Sequence, residues 1–331
     1  MLLSRPYAVM RVTLVETIRH QTFFMSKTIL FISVFFACML FGNSPVTTIS
    51  PMIEEEIVET PPFQPLRSMA DADLQTALET VLNRNPQWRT LIRSKKMAVS
   101  LVDMTQENAP RLAGVNGDYM MYAASLPKIA VLLASMDALE KGELIETPEI
   151  TSDMRLMIAR SNNAATTRMI DRLGFAKIQA VMTDPAYKLY DPEQGGGLWV
   201  CKRYGSGGGR HPDPMKGISH AATTTQICRF YYLMAQKKFV TPERSEQMMS
   251  IMVDPELHHK FVNTLDRIAP EAKVYRKSGS WQTYHSDSVM VMGPNRQYIL
   301  SALIDDAGGE MICRELVTAI EQALASAPVQ S

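Results

Sequence analysis

The sequence has no surplus of either charge: Lys and Arg number 34, Asp and Glu 34, across 331 residues. That balance excludes the broad basic footprint of a nucleic-acid binder. Cysteine is scarce. Cys38, Cys201, Cys228 and Cys313 show no CxxC spacing, so neither a zinc ribbon nor a disulfide-dense miniprotein fits. His258 and His259 are adjacent rather than four apart, which keeps them off one helix face as a metal pair. The glycine runs at 195–197 and 207–209 lack a following GK[ST], so they are not phosphate loops. No internal repeat is visible, and no metal or cofactor is implied. With 46% hydrophobic and 21% charged residues, the chain is neither disordered nor a coiled coil. The 23 methionines read as core filler.

The longest apolar run, Thr28 to Gly42, has 15 uncharged residues after Lys27. It is shorter than the ~20 residues of a membrane-spanning helix and suits the apolar segment of an export signal. Translation from Met25 would give a more ordinary signal start. We expect residues 1–44 to be a signal peptide cleaved near 42–50, or else an N-terminal anchor tethering the protein through residues 28–42. Residues 45–70 hold Pro45, Pro51, Pro61, Pro62 and Pro65 among Glu54, Glu55, Glu56 and Glu59. Lost backbone donors and like charges predict a linker. The globular domain is expected over 71–327.

Within it, Leu74, Ala77, Leu78, Val81 and Leu82 recur at helical spacing behind Asp71 or Asp73 as cap. Met97 to Asp103 reads as a strand, with Arg111 to Asn116 as its hairpin partner. Helices are predicted over Ile129–Leu139, Thr151–Arg160, Thr223–Gln236 and Glu310–Leu324. Three late strands are predicted over Lys273–Lys277, Ser286–Met292 and Gln297–Ile304, the last two joined by a turn at Gly293-Pro294-Asn295. Strands at both ends with helices between predict an α+β fold. Its antiparallel sheet would be flanked by N- and C-terminal helices, with an all-helical lobe inserted.

Three short motifs carry chemistry. In Ser125-Leu126-Pro127-Lys128, a helix starting at Ser125 tolerates Pro127 in its first turn. Positions i and i+3 share a face, so the amine can reach the hydroxyl. A serine is a weak nucleophile until a base takes its proton. The apolar residues after Lys128 supply the desolvation that would lower a lysine pKa. In Ser161-Asn162-Asn163, an extended backbone would turn Ser161 and Asn163 one way and Asn162 the other. In Lys277-Ser278-Gly279, glycine at a strand end permits close approach by a ligand, and the flanking cation and hydroxyl suit a carboxylate. Taken singly, each motif is also what a helix cap, a polar helix end or a turn would look like.

Together, in the order SxxK, SxN, KSG, they resemble the penicillin-recognising serine enzymes, the class A β-lactamases and related penicillin-binding proteins. The flanks agree: Ala123-Ala124 before Ser125, Ala164-Ala165-Thr166 after Asn163, and Ala222-Thr223-Thr224-Thr225 opening a helix. The resemblance covers roughly residues 72–326. It implies that Ser125 is the acylated nucleophile and Lys128 its proton acceptor. Ser161 would relay the proton to the leaving nitrogen, and Asn163 would orient the substrate amide. Lys277 with Ser278 and Gly279 would hold the substrate carboxylate. The backbone N–H groups of Ser125 and Ser280 would form the oxyanion hole, where losing one donor costs ~3–4 kcal/mol.

Four departures accompany it. Only 36 residues separate Ser125 from Ser161, which implies a shortened helical lobe. Asn162 stands where the family usually has Asp. The E-x-x-L-N loop, whose Glu activates the deacylating water, is missing; Glu193, 30 residues after Asn163, is the candidate base at that interval. No Arg matches the family's clamp after KSG, and Tyr284 and His285 occupy that neighbourhood. The reading is therefore an exported, periplasmic or membrane-anchored serine hydrolase opening β-lactam amides through Ser125. The alternatives are a D-alanyl peptidase or esterase with poor β-lactam turnover, or a silent cell-wall-binding domain. The expected partner is a small-molecule substrate rather than nucleic acid, and the expected state a monomer.

Overall fold

The computed structural model describes residues 63–327, apart from residues 107 and 206. The leader (1–44) and most of the linker (45–62) lie outside the described residues. The rest of the linker assignment needs correcting. Leu66–Met69 forms a 3-10 turn with Leu66 and Met69 buried, and Ala70 bridges to Leu112. Pro65 removes one donor, whereas each buried apolar side chain contributes ~1.5–3 kcal/mol. The folded domain thus begins before Asp71.

Asp71 caps α1 (Ala72–Asn83), its carboxylate accepting the Leu74 N–H at 2.7 Å. Asn85 caps α2 (Pro86–Arg93), a short helix with only Trp88 and Leu91 buried and therefore too weak a periodic signal to predict. The chain continues through β1 (Met97–Asp103), β2 (Arg111–Val115) and β3 (Met121–Tyr122) into the helical lobe. There α3 (Lys128–Glu140) is followed by α4 (Pro148–Ala159), α5 (Asn163–Leu173) and α6 (Phe175–Thr183). A long segment then carries three two-residue strands: β4 (Tyr190–Asp191), β5 (Gly196–Gly197) and β6 (Ala221–Ala222). After α7 (Thr224–Ala235), α8 (Pro242–Met252) and α9 (Phe261–Ile268), the chain returns through β7 (Lys273–Trp281), β8 (Tyr284–Met292) and β9 (Gln297–Asp305) to α10 (Gly309–Ser326).

The main sheet has the order β2-β1-β9-β8-β7, antiparallel throughout. Strands from both ends of the chain meet at β1 and β9, as predicted. β1 is buried along its length and splits its side chains by parity. Met97, Val99 and Leu101 pack with α1 and α10, while Ala98 and Val102 join the core of the helical lobe. This is the period-2 pattern of a strand covered on both faces. In the lobe, α3 is buried from Lys128 to Leu139 and packs against α4, α5, α6 and α8. A helix apolar on every side belongs in a core. Cys201, Cys228 and Cys313 are buried and unpaired.

β7 runs to Trp281, past its predicted end at Lys277. Its register with β8 is unbroken from Lys273↔Met292 to Trp281↔Tyr284, so ladder pairing overrides the low strand propensity of Gly279. Beside Lys277, Arg276 turns to the opposite face and pairs with Asp287 in a fork, at 2.8 and 2.9 Å. Both side chains are buried. Asp287 also accepts the Phe261 N–H, and Arg276 donates to the Leu257 carbonyl, so this one ion pair joins β7, β8, α9 and the segment before it. Removing one partner strands a buried charge. Arg276→Met is expected to lose ~3–5 kcal/mol of stability in urea denaturation, and Arg276→Met with Asp287→Leu to recover most of it.

Candidate active site

The predicted nucleophile sits in a tight turn rather than inside a helix. α3 begins at Lys128, with Pro127 in the cap position. Ser125 precedes it, where the Leu126 N–H donates to the Ala123 carbonyl and the Lys128 N–H to the Ser125 carbonyl. Ala124 has φ +50°, the left-handed region that non-glycine residues adopt only when surrounding contacts impose it. Those contacts are visible. The Ala123 N–H donates to the His220 carbonyl at 2.8 Å, and the Ala123 carbonyl accepts the Ser286 hydroxyl at 2.8 Å. The turn is thereby held against β8.

Lys128 is fully buried at the first position of α3. Its amine donates to the Ser161 carbonyl at 2.6 Å, to Ser161 Oγ at 3.3 Å and to Asn163 Oδ1 at 2.8 Å. Burial lowers its pKa to about 7, because the interior disfavours the charged form. Among the described residues no carboxylate pairs with it. Lys277 approaches from β7 and donates to the same Ser161 Oγ at 2.9 Å and to the Ser278 carbonyl at 2.5 Å. Its pKa is pushed well below the usual lysine range, first by burial and then by the charges of Lys128 and Arg276. SxxK, SxN and KSG thus meet at one hydroxyl.

Ser161 is not extended as predicted. It has φ +53° at the corner between α4 and α5. Asn162 caps α5 by accepting the Ala165 N–H at 2.8 Å, so its side chain turns away from the cleft, as expected, through capping rather than strand alternation. In β7, Gly279 comes against the nucleophile turn. A Cβ there would lie 2.5 Å from both the Ala123 carbonyl oxygen and the Ser125 nitrogen, so only glycine allows this approach. Ser280 lines the cleft beside Ser125, whereas Ser278 is buried in the strand. His285 packs against Gly309, away from the cleft, and Tyr284 lines it.

Glu193 is not brought to this site. It is exposed in the 3-10 turn Pro192–Gln194, capped by Asp191. The next residue, Gly195, presses on the Asp118 backbone, where a Cβ would lie 2.1 Å from the carbonyl oxygen. The paired strands β4 and β5 tie this turn down there. The cleft wall comes instead from residues that belong to none of the three motifs. Tyr204 is buried, its ring 4.6 Å from Lys128 Nζ and its hydroxyl donating to the Ala124 carbonyl at 3.2 Å. It stacks on His220 at 4.2 Å and 12°. Burial, with Lys202 and Lys128 nearby, lowers the His220 pKa to about 3, so the imidazole is neutral. The cleft above, about 660 Å³, reaches Ser125 and Asn163 between this pair and Ser280. Only the adjacent basic residues Lys202-Arg203 could have flagged the segment.

The arrangement offers a cleft-lining serine three residues before a neutralisable amine, and a second amine that meets the first at the Ser161 hydroxyl; the Lys128 amine hydrogen-bonds to Ser161 and Asn163 rather than to the Ser125 hydroxyl. These groups are the equipment of acyl transfer. The sequence model of the beta-lactamase enzyme family matches residues 148–326, more than half the chain; it begins after Ser125 and Lys128 and includes Ser161 and Lys277. No curated protein matches the sequence. Among solved structures, the fold is similar to that of PBP-A, at 20% identity over 80% of this chain and 99% of the other, with a TM-score of 0.57. It is also similar to a β-lactamase from Sphaerobacter thermophilus, at 14% identity over 76% and 95%, TM-score 0.56. A class A variant of the last common ancestor of Gram-negative bacteria aligns at 14% identity over 72% and 96%, TM-score 0.55. With its α+β fold shared by these structures, the chain belongs to the beta-lactamase enzyme family.

Proposed function

We propose that this protein is an exported acyl-serine enzyme that opens β-lactam or D-alanyl amides on Ser125 and releases the acyl group slowly. The observation that carries the reading is the convergence of Lys128 and Lys277 on the Ser161 hydroxyl. In the step, Ser125 Oγ bonds to the carbonyl carbon as its proton passes to neutral Lys128. The Ser125 and Ser280 N–H groups hold the oxyanion. The C–N bond then breaks, and Ser161 hands a proton to the leaving nitrogen while drawing one from Lys128. A substrate carboxylate beside Lys277 would favour its charged form and offset the burial that opposes it.

Slow release follows from what surrounds Lys128. A Tyr204 ring rather than a carboxylate lies over it, and Glu193 is elsewhere. His220 is a poor substitute, since a base with pKa near 3 gives little driving force at neutral pH. This favours the penicillin-binding alternative over rapid β-lactamase turnover. A solved PBP-A variant is described as an acyl-enzyme complex with penicillin G, which makes such a complex a reasonable target here. The apolar run 28–42 supports an exported location, where cell-wall peptides are met.

Fluorescent penicillin is expected to label the domain covalently, and Ser125→Ala to abolish labelling. The label should persist, with little chromogenic cephalosporin turnover, and Glu193→Gln should change neither result. Fast turnover that is lost in Glu193→Gln would restore the β-lactamase reading. Absence of labelling would reject both penicillin readings.

Acylation needs Lys128 neutral, and its pKa is lowered to about 7. The acylation rate constant is therefore expected to climb about tenfold per pH unit up to ~7 and then level off. A flat stopped-flow profile from about pH 5 to 9 would exclude Lys128 as the acceptor.

A further inference from the structure

The wall of the cleft opposite β7 carries charge that the acyl-transfer steps do not use. Lys202, Arg203 and Arg210 line it, and no Asp or Glu does. Arg203 is matched by Asp171 at 2.5 Å. Lys202 and Arg210 have no acidic partner among the described residues. Lys202 is half-buried and close enough to His220 to oppose protonation of the imidazole. The fold thus places these cations along one concave wall, where their fields add.

We propose that Lys202 and Arg210 form a subsite for a second anionic group, so that the substrate class is a dicarboxylate amide or lactam. This rests on the acyl-serine reading. One carboxylate goes to Lys277, at the β7 end. The other sits on the acyl side chain, beyond Asn163 and beside Tyr204, where Lys202 and Arg210 line the cleft. An exposed guanidinium and a half-buried ammonium suit a flexible side-chain carboxylate: Arg210 supplies a planar fork and Lys202 a point charge. The subsite selects among substrates by charge rather than by filling a pocket. It leaves the reacting bond to Ser125, Lys128 and Ser161.

The test compares benzylpenicillin with α-carboxybenzylpenicillin, which differ by one carboxylate on the acyl side chain. The second-order acylation constant is expected to be about tenfold larger for the dianion at low salt, and the advantage to shrink as ionic strength rises. In Lys202→Gln with Arg210→Gln, the ratio of the two constants should fall to about one. Equal constants in the native protein, or a ratio that survives the double substitution, would overturn the subsite. Should neither penicillin acylate Ser125, the acyl-serine reading fails instead. The subsite is then read directly by quenching of Trp281 fluorescence with N-acetyl- and N-succinyl-D-alanyl-D-alanine. Tighter binding of the succinyl peptide, lost in the double variant, would uphold it. No preference between the two peptides would overturn it.

Discussion

Two amines that cannot both remain charged in comfort share one hydroxyl. Lys128 and Lys277 are buried, lack carboxylate partners among the described residues and both donate to Ser161 Oγ. An ammonium in such surroundings is costly, and the protein answers by lowering both pKa values. The same desolvation that weakens the fold at this point supplies a lysine able to accept a proton near neutrality. Stability is sacrificed where reactivity is needed. The sign is clear: with depressed lysine pKa values, the folded state binds fewer protons than the unfolded chain between about pH 7 and 10.5. This local contribution therefore favours folding more as pH rises through that window.

Much of the surrounding architecture keeps those amines in register. The Arg276–Asp287 pair fixes the strand that delivers Lys277, and it does so from the opposite face. α3 delivers Lys128 from a core position closed on every side. Lys260, also buried, donates to the Gly279 and Ser286 carbonyls, holding β7 and β8 together directly behind the Ser125 turn. Four buried cations thus serve different purposes: Arg276 is paired, Lys260 is satisfied by carbonyls, and Lys128 and Lys277 share a hydroxyl. Only the last arrangement leaves protons free to move.

The sequence exposed the chemistry better than its setting. Ser125, Lys128, Ser161 and Lys277 were legible because each lies in a compact motif whose spacing has a chemical reason. The sheet was legible because β1, the end of β8 and β9 are short, largely apolar runs bounded by polar residues or turns. Helices α5 and α6 were not assigned, since their polar faces and the intervening Gly174 blur the period. The start of α3 was placed three residues early, because the local pattern does not reveal that Ala124 is held at positive φ by contacts from His220 and Ser286. Tyr204 and His220 were invisible for a similar reason. Their stacking depends on the path of residues 198–220, a segment without periodicity, in which glycines and His220 itself adopt left-handed backbone. Glu193 was misplaced because an interval along the chain says nothing about which way such a segment folds.

At Gly279, strand and nucleophile turn touch backbone to backbone, with no side chain between them. The width of the slot at that point is consequently set by van der Waals radii and offers nothing for selection to adjust. Divergence in what this scaffold accepts has to be written on the other bank, in the aperiodic stretch bearing Lys202, Tyr204 and Arg210. There, sequence can change without disturbing the ladder that holds the reacting serine.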